Sequence, residues 1–311
     1  MHASVFPWSA RTRAIGLPLA ALLLVAAPAC AGAIGPPALN HVYVVLDRNT
    51  FDALARDAAL LASPDAGLPD YASPADGADR IFLRGRATYL EFFAPDNRFG
   101  EPVGKVGLAL GYDAPVHLAQ LERAWRARYD DVRRTAVEWR RIPPVVPWYD
   151  AVQRDATAAN PHLVLWAMTY RPEFVDWQAP ATLPTTRTAR ADVLAPRWRP
   201  SQRLIDVTGL SVAVPPDLKD RIESQLIDAG FERTRTDTGV VLSGRDWQLT
   251  LSASSEPGLR SLELETAADG AGTGCAHVLG RSRLVIGADG RTVWRFDTTS
   301  DTPALPACIP D

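Results

Sequence analysis

The chain has 311 residues, 47% of them hydrophobic and 22% charged, with a formal net charge of −3. That length suits one large or two modest globular domains. The near-neutral balance gives no electrostatic footing for nucleic acid or an anionic membrane surface, and the cations are almost all arginine, since Lys105 and Lys219 are the only lysines.

Residues 1–33 read as an export signal rather than as part of the fold. His2, Arg11 and Arg13 precede an apolar run from Ile15 to Ala27, and the small residues "APACAGA" follow. A basic start, a short apolar core and an A-x-A-like site define a signal peptide. The run is shorter than the ~20 residues a membrane span needs. Cleavage is expected after Ala29 or Ala33, with a lipid anchor at Cys30 as the lesser alternative. Once Cys30 is set apart, Cys275 and Cys308 remain. An even pair in an oxidising compartment predicts a disulfide. There is no CxxC and no His/Cys cluster, which argues against a thiolate zinc site.

Along the mature chain, residues 40–47 alternate apolar and polar as a strand, and a helix is expected from Asn49 as N-cap to about Leu61. "RIFLRG" and "ATYLEFFAP" read as two strands after a loop over 63–79. A second round opens with a strand at 103–113 and a helix whose stripe is Leu118, Leu121, Trp125 and Tyr129; "HLVLWAMTY" closes it as a strand. Residues 176–203 hold four prolines and five arginines without periodicity, and read as a surface linker. Beyond it come the strand "DVTGLSVAV", a helix opened by Pro216 and closed by Gly230, and three short strands. A fourth round begins at "LRSLELETA" but lacks its helix, ending in a hairpin with Asp289-Gly290 at the turn. The pattern is strand–helix–strands, four times, the last truncated.

In that order, with "LNHVYVVLD" opening the first copy and "TYLEFFAP" ending it, the sequence resembles the glyoxalase and bleomycin-resistance group, the vicinal oxygen chelate superfamily. Within that group it is similar to secreted glyoxalase-like proteins of unassigned function. The resemblance covers about residues 39–298. It implies an α+β fold of paired βαβββ modules in two tandem glyoxalase-like domains, with the last module truncated. The expected organisation is a signal peptide at 1–33, a first domain at 34–178, a linker at 179–203 and a second domain at 204–311. The resemblance also implies His41 and Glu91 as metal ligands, on the first and last strands of a module.

Strand alternation sorts the first module by itself. Val42, Val44 and Leu46 face one side, and His41 and Tyr43 the other; Tyr89, Glu91 and Phe93 form the matching set on the last strand. A charged Glu91 among aromatics needs a cation, a proton or water as partner. In the second copy one register sends His162, Trp166, Met168 and Tyr170 inward, with Glu173 just beyond, whereas a one-residue slip points Leu163, Leu165, Ala167 and Thr169 instead. The second copy has Gly107 and Met168 where His41 and Glu91 stand in the first, so a full ligand set needs His162 or Glu173. Such a set suits Zn, Fe, Mn or Ni.

Two functions follow as expectations. One is a divalent-metal lyase, isomerase or dioxygenase acting on a small molecule, with Glu91 catalytic and Tyr43, Tyr89, Phe93, Trp166 and Tyr170 lining the cup. The other is a metal-free binding protein using the same aromatic cup. His117 and His277 read as surface and packing residues. No G-x-S-x-G, GxGxxG or P-loop is present.

Overall fold

The computed structural model describes residues 35–57, 79–140, 143–178, 186–267, 274–296 and 307–308. The expected signal segment with Cys30, the end of the first expected helix, most of the loop expected at 63–79 and part of the expected linker lie outside the described residues.

The first three repeats fold by the same logic. In the first, β1 (Ala38–Val45) runs into α1 (Arg48–Asp57), then β2 (Arg80–Arg84) and β3 (Tyr89–Phe93). The helix is capped by Asp47 rather than by the expected Asn49. The Asp47 carboxylate accepts from the Thr50 backbone N–H at 3.2 Å and from its hydroxyl at 2.7 Å. The second repeat is β4 (Val106–Gly111), α2 (Pro115–Arg126), β5 (Val132–Trp139), β6 (Val146–Arg154) and β7 (Leu163–Tyr170), with a single helical turn, α3 (Asp155–Ala158), before β7. Sequence reading passes over β5, whose surface positions carry no clean alternation. The opening and closing strands pair in parallel in both repeats, and β1 meets β4 antiparallel. One seven-stranded sheet results, in the order β2-β3-β1-β4-β7-β6-β5.

The third repeat, β8 (Leu204–Val214), α6 (Pro216–Asp228), β9 (Glu232–Thr236), β10 (Gly239–Ser243) and β11 (Gln248–Ala253), keeps the parallel pairing of first and last strands. Pro216 opens α6, and Gly230, at φ 92°, follows its end in the left-handed region that favours glycine. The fourth comprises β12 (Gly258–Thr266), β13 (Cys275–Leu279), β14 (Ser282–Ile286) and β15 (Arg291–Arg295), and β12 pairs with β15 antiparallel. No helix separates its strands among the described residues. A parallel return needs a crossover, so this copy closes as a meander instead. The eight-stranded second sheet is completed by the Cys275–Cys308 disulfide, which ties residue 308 beside β13. The fold is thus α+β, with two mixed sheets built from paired βαβββ modules.

One apolar core runs between the sheets. Val42, Val44, Leu90 and Phe92 of the first sheet share it with Leu210 and Val212 of the second. Phe92 meets Trp294 of β15 with ring centroids 5.0 Å apart, and the Trp125 indole N–H of α2 donates to the Gln225 carbonyl of α6. Among the described residues no helix is long and apolar enough to cross a membrane. What remains of the first sheet is its other face.

Candidate functional site

That other face is ordered in rows. His41 stands opposite Tyr89 on β3 and Ala109 on β4, and Ala109 opposite Trp166 on β7. The next row holds Glu91, Tyr43, Gly107 and Val164, and Phe93 lies beside Val45 one row on. The register therefore puts Trp166, Met168 and Tyr170 on the same face as His41, while Leu163, Leu165 and Ala167 join the intersheet core. Gly107 stands where the second copy would repeat the histidine because the Tyr43 ring lies over it. A Cβ there would come within 2.0 Å of the ring.

The face is covered. α4 (Pro172–Gln178) and α5 (Arg190–Leu194), followed by a 3₁₀ turn at Ala195–Arg197, fold over it, and Phe174, Val175, Val193 and Leu194 pack with Tyr89, Met168 and Tyr170. Part of the stretch read as a solvated linker is therefore a wall of the site. Its Arg190 is buried at 4% exposure and donates to the Leu39 carbonyl at 2.5 Å, while also contacting Asp113 and Asp246. Gly111 leaves the room this needs, since a Cβ there would meet the Arg190 side chain at 2.5 Å.

His41 lies stacked on Tyr89, with centroids 4.3 Å apart and planes 17° off parallel, and edge-on to Trp166 at 5.2 Å. Its Nδ1 sits 2.8 Å from Asn40 Oδ1, and the Tyr170 hydroxyl donates to the same oxygen at 3.4 Å. Asn40 reaches this face because the β1/β4 register slips between Leu39 and His41, a bulge that re-aims one side chain. Burial drops the His41 pKa to about 3, so the ring is neutral at physiological pH. Burial likewise raises the phenols of Tyr43 and Tyr89 above their ordinary range, with Glu91 adding to both. Tyr170 is raised by burial too, against the pull of the Asn40 hydrogen bond and the charges of Arg84, Arg190 and Arg197.

The expected metal set does not assemble. Glu91 Oε1 accepts from Arg80 at 3.1 Å, so its charge is met by a guanidinium. His162 precedes Trp166 by four residues, about 13 Å along β7 from the row of His41. Glu173 lies beyond the opposite end of that strand, exposed and 3.9 Å from Arg171. His162 and Tyr170 are separated by about 26 Å of strand, whereas ligands must lie about 2 Å from one ion. No group of three or more His, Cys, Asp or Glu able to hold a metal exists among the described residues. The described residues do not fit a protein-held catalytic metal of three or four ligands. His117 is exposed on α2, and His277 bonds Asp57 at 2.8 Å, away from the cup.

What the face does form is a cavity of about 50 Å³ beside the His41 row, walled by the aromatic rings of Phe82, Tyr89, Trp139, Trp148, Tyr170 and Phe174. Arg84 and Arg197 line it with Glu91 and Gln178. Trp139 and Trp148 meet edge to face at 5.1 Å, and Tyr170 and Phe174 lie near parallel at 6.1 Å. Of these residues sequence reading singles out Tyr89, Glu91 and Tyr170. It misses Trp139, Trp148 and Arg197, whose only early signal is a cluster of aromatics and arginines in segments read as loop.

The fold and site define an α+β protein of paired βαβββ modules whose first sheet encloses an aromatic, arginine-bearing cavity. The chain belongs to a family of unknown function, DUF5829, whose model matches residues 39–296. No curated protein matches it. Among solved structures, a hypothetical protein from Staphylococcus aureus is similar at 8% identity and TM-score 0.47, covering 78% of this chain and 94% of that one. Homoprotocatechuate 2,3-dioxygenase from Arthrobacter globiformis is similar at 12% identity and TM-score 0.43, covering 83% and 79%. A variant of the B. fuscum enzyme of that name gives 12% and 0.41, covering 88% and 76%. With TM-scores below one half and identities near one residue in ten, these likenesses assign neither substrate nor mechanism.

Proposed function

We propose that this chain is an exported, glyoxalase-like binding protein that holds a small molecule in the aromatic cavity of its first sheet without a protein-bound metal. The signal segment at 1–33 is removed on export, and the disulfide between Cys275 and Cys308 accords with an oxidising compartment. Residues 34–178 and 204–311 act as first and second glyoxalase-like domains, with 179–203 joining them and supplying the cover.

One observation carries the binding reading. Six aromatic side chains and two arginines converge on one cavity, where Glu91 already meets the Arg80 guanidinium and His41 bonds Asn40, while His162 and Glu173 lie off opposite ends of β7. Apolar walls with a few placed polar groups are what small-molecule sites require. Glu91 has the Arg80 guanidinium as its cation, which answers the desolvation problem that a metal would otherwise solve. His41, neutral and sandwiched, braces the cavity wall through Tyr89.

The test is elemental analysis of the purified mature protein, before and after incubation with Zn, Fe, Mn and Ni, beside Glu91→Ala. Substoichiometric metal throughout is expected. One equivalent of metal that disappears in Glu91→Ala would overturn the reading and restore the metal enzyme. Mass spectrometry of the protein from culture fractions checks the cleavage point and the exported location.

A further inference from the structure

The second sheet has an outer face of its own. Leu210, Leu262, Leu284 and Trp294 point into the core, so alternation sends Ser211, Ser261, Arg283 and Arg295 to the other side, where all four stay half-exposed. Register lines them up across four adjacent strands. Arg283 on β14 stands opposite Arg295 on β15, Arg295 opposite Ser261 on β12, and Ser261 opposite Ser211 on β8. Directly opposed side chains are about 4.5–5.5 Å apart at Cβ, so the two guanidiniums face each other as like charges. Neither has an ion-pair or hydrogen-bond partner among the described residues, and the Arg283 Nε is buried without an acceptor. An orphaned buried donor beside a second unpaired cation is costly unless an anion joins them. Glu263, two residues along β12 on the same face, does not fill that role, because it accepts from Gln248 at 3.2 Å.

We propose that this face binds the phosphate monoester of a sugar or polyol, with Arg283, Arg295 and Ser261 on the phosphate and the hydroxylated remainder in the hollow beside them. Guanidinium forks match phosphate oxygens, and an anion between the two arginines replaces their repulsion with charge-assisted hydrogen bonds. A phosphate monoester carries about −1.5 to −2 at pH 7, which offsets both cations, whereas a carboxylate offsets one. The Ser261 hydroxyl adds a donor next to Arg295. Thr208, Gln248, Glu263 and Val293 line the hollow, whose volume of about 630 Å³ is ample for a small ligand. Its hydroxyl, amide and carboxylate are hydrogen-bonding partners for the hydroxyls of a polyol. Glu263 and Glu265 there disfavour a second anionic group, so the remainder is neutral. At the far rim Asp289 and Arg291 pair with each other at 3.8 Å.

The experiment titrates the mature full-length protein in a calorimeter with glucose 6-phosphate, inorganic phosphate and glucose, at constant ionic strength with chloride as the balancing anion. One site is expected for the ester, roughly tenfold or more tighter than for either inorganic phosphate or glucose. Arg283→Gln and Arg295→Gln, each with its circular dichroism retained, should weaken the ester roughly tenfold or more. Ser261→Ala, a milder change, should weaken it several-fold. The ester should also raise the melting temperature of the wild type and leave that of both arginine variants unmoved. No saturable binding of either phosphate would overturn the site. Ester binding unchanged in all three variants would overturn it as well. Inorganic phosphate binding as tightly as the ester would overturn the place given to the polyol. Every residue tested stands on the second sheet, so none of these results bears on the aromatic cavity of the first.

Discussion

Replacing Glu91 separates a structural ion pair from a metal ligand. The Arg80 and Glu91 side chains are 9% and 12% exposed and meet at 3.1 Å. Breaking a buried pair from one side leaves an uncompensated charge and costs roughly 3–5 kcal/mol. Asp79, 3.5 Å from Arg80 and 28% exposed, keeps part of the compensation, so the lower end applies. Glu91→Ala should therefore lose about 3 kcal/mol, or roughly 6–12 °C in Tm for a chain of this size. Glu91→Gln keeps an acceptor for Arg80 and should lose less, about 1–2 kcal/mol. Because apolar replacement of a buried pair is often neutral, Glu91→Leu combined with Arg80→Met should recover most of the loss. Urea unfolding followed by tryptophan fluorescence, run as a double-mutant cycle, gives the coupling between the two sites. A Glu91→Ala variant within 0.5 kcal/mol of wild type, or a double variant no better than Glu91→Ala, would refute the ion-pair account.

Three further outcomes are expected. His41 is depressed in the folded protein to about 3, below its unfolded value near 6.5, so the unfolded chain binds the extra proton between those limits. Stability should then be full above pH 6.5 and fall by up to about 1.4 kcal/mol per unit as the pH drops toward 3. His41→Gln should flatten the slope between pH 6.5 and 4.5 in chemical unfolding, and an unchanged slope would refute this. Replacing Cys275 and Cys308 by serine opens a loop with a separation of 33 residues and should cost about 3–4 kcal/mol on the chain-entropy account. Unfolding in urea with and without reductant checks it. Both side-chain amide atoms of the buried Gln225 lack a partner among the described residues, beneath Trp125. Gln225→Met should therefore stabilise by about 1–3 kcal/mol, read as a rise in Tm.

Much of the cup is legible in the sequence. Period-two alternation is a local property, so His41 and Tyr43 separate from Val42 and Val44 on inspection, and Tyr89, Glu91 and Phe93 separate from Leu90 and Phe92 in the same way. The pairings His41–Tyr89 and Tyr43–Glu91 then put both sets on one face. The register that sends Trp166 and Tyr170 to that face could only be preferred, because a slip of one residue reverses it and nothing local forbids the slip. Asn40 stayed hidden for a related reason. It reaches His41 through a bulge, which is set by pairing with β4 and not by the residues of β1 themselves.

Sequence by itself determined the repeating strand–helix–strands order, the two faces of each strand and the pairing of Cys275 with Cys308. Each depends on residue type and on spacing along the chain. Only the tertiary structure decided which partners those faces meet. It set His162 and Glu173 at opposite ends of β7, gave Glu91 a guanidinium, and closed the fourth copy as a meander. It also folded α4 and α5 over the cup, turning a proline- and arginine-rich stretch into a wall. Those outcomes rest on long-range packing, where distance is fixed by strand register and by what covers a sheet, and no local periodicity encodes either.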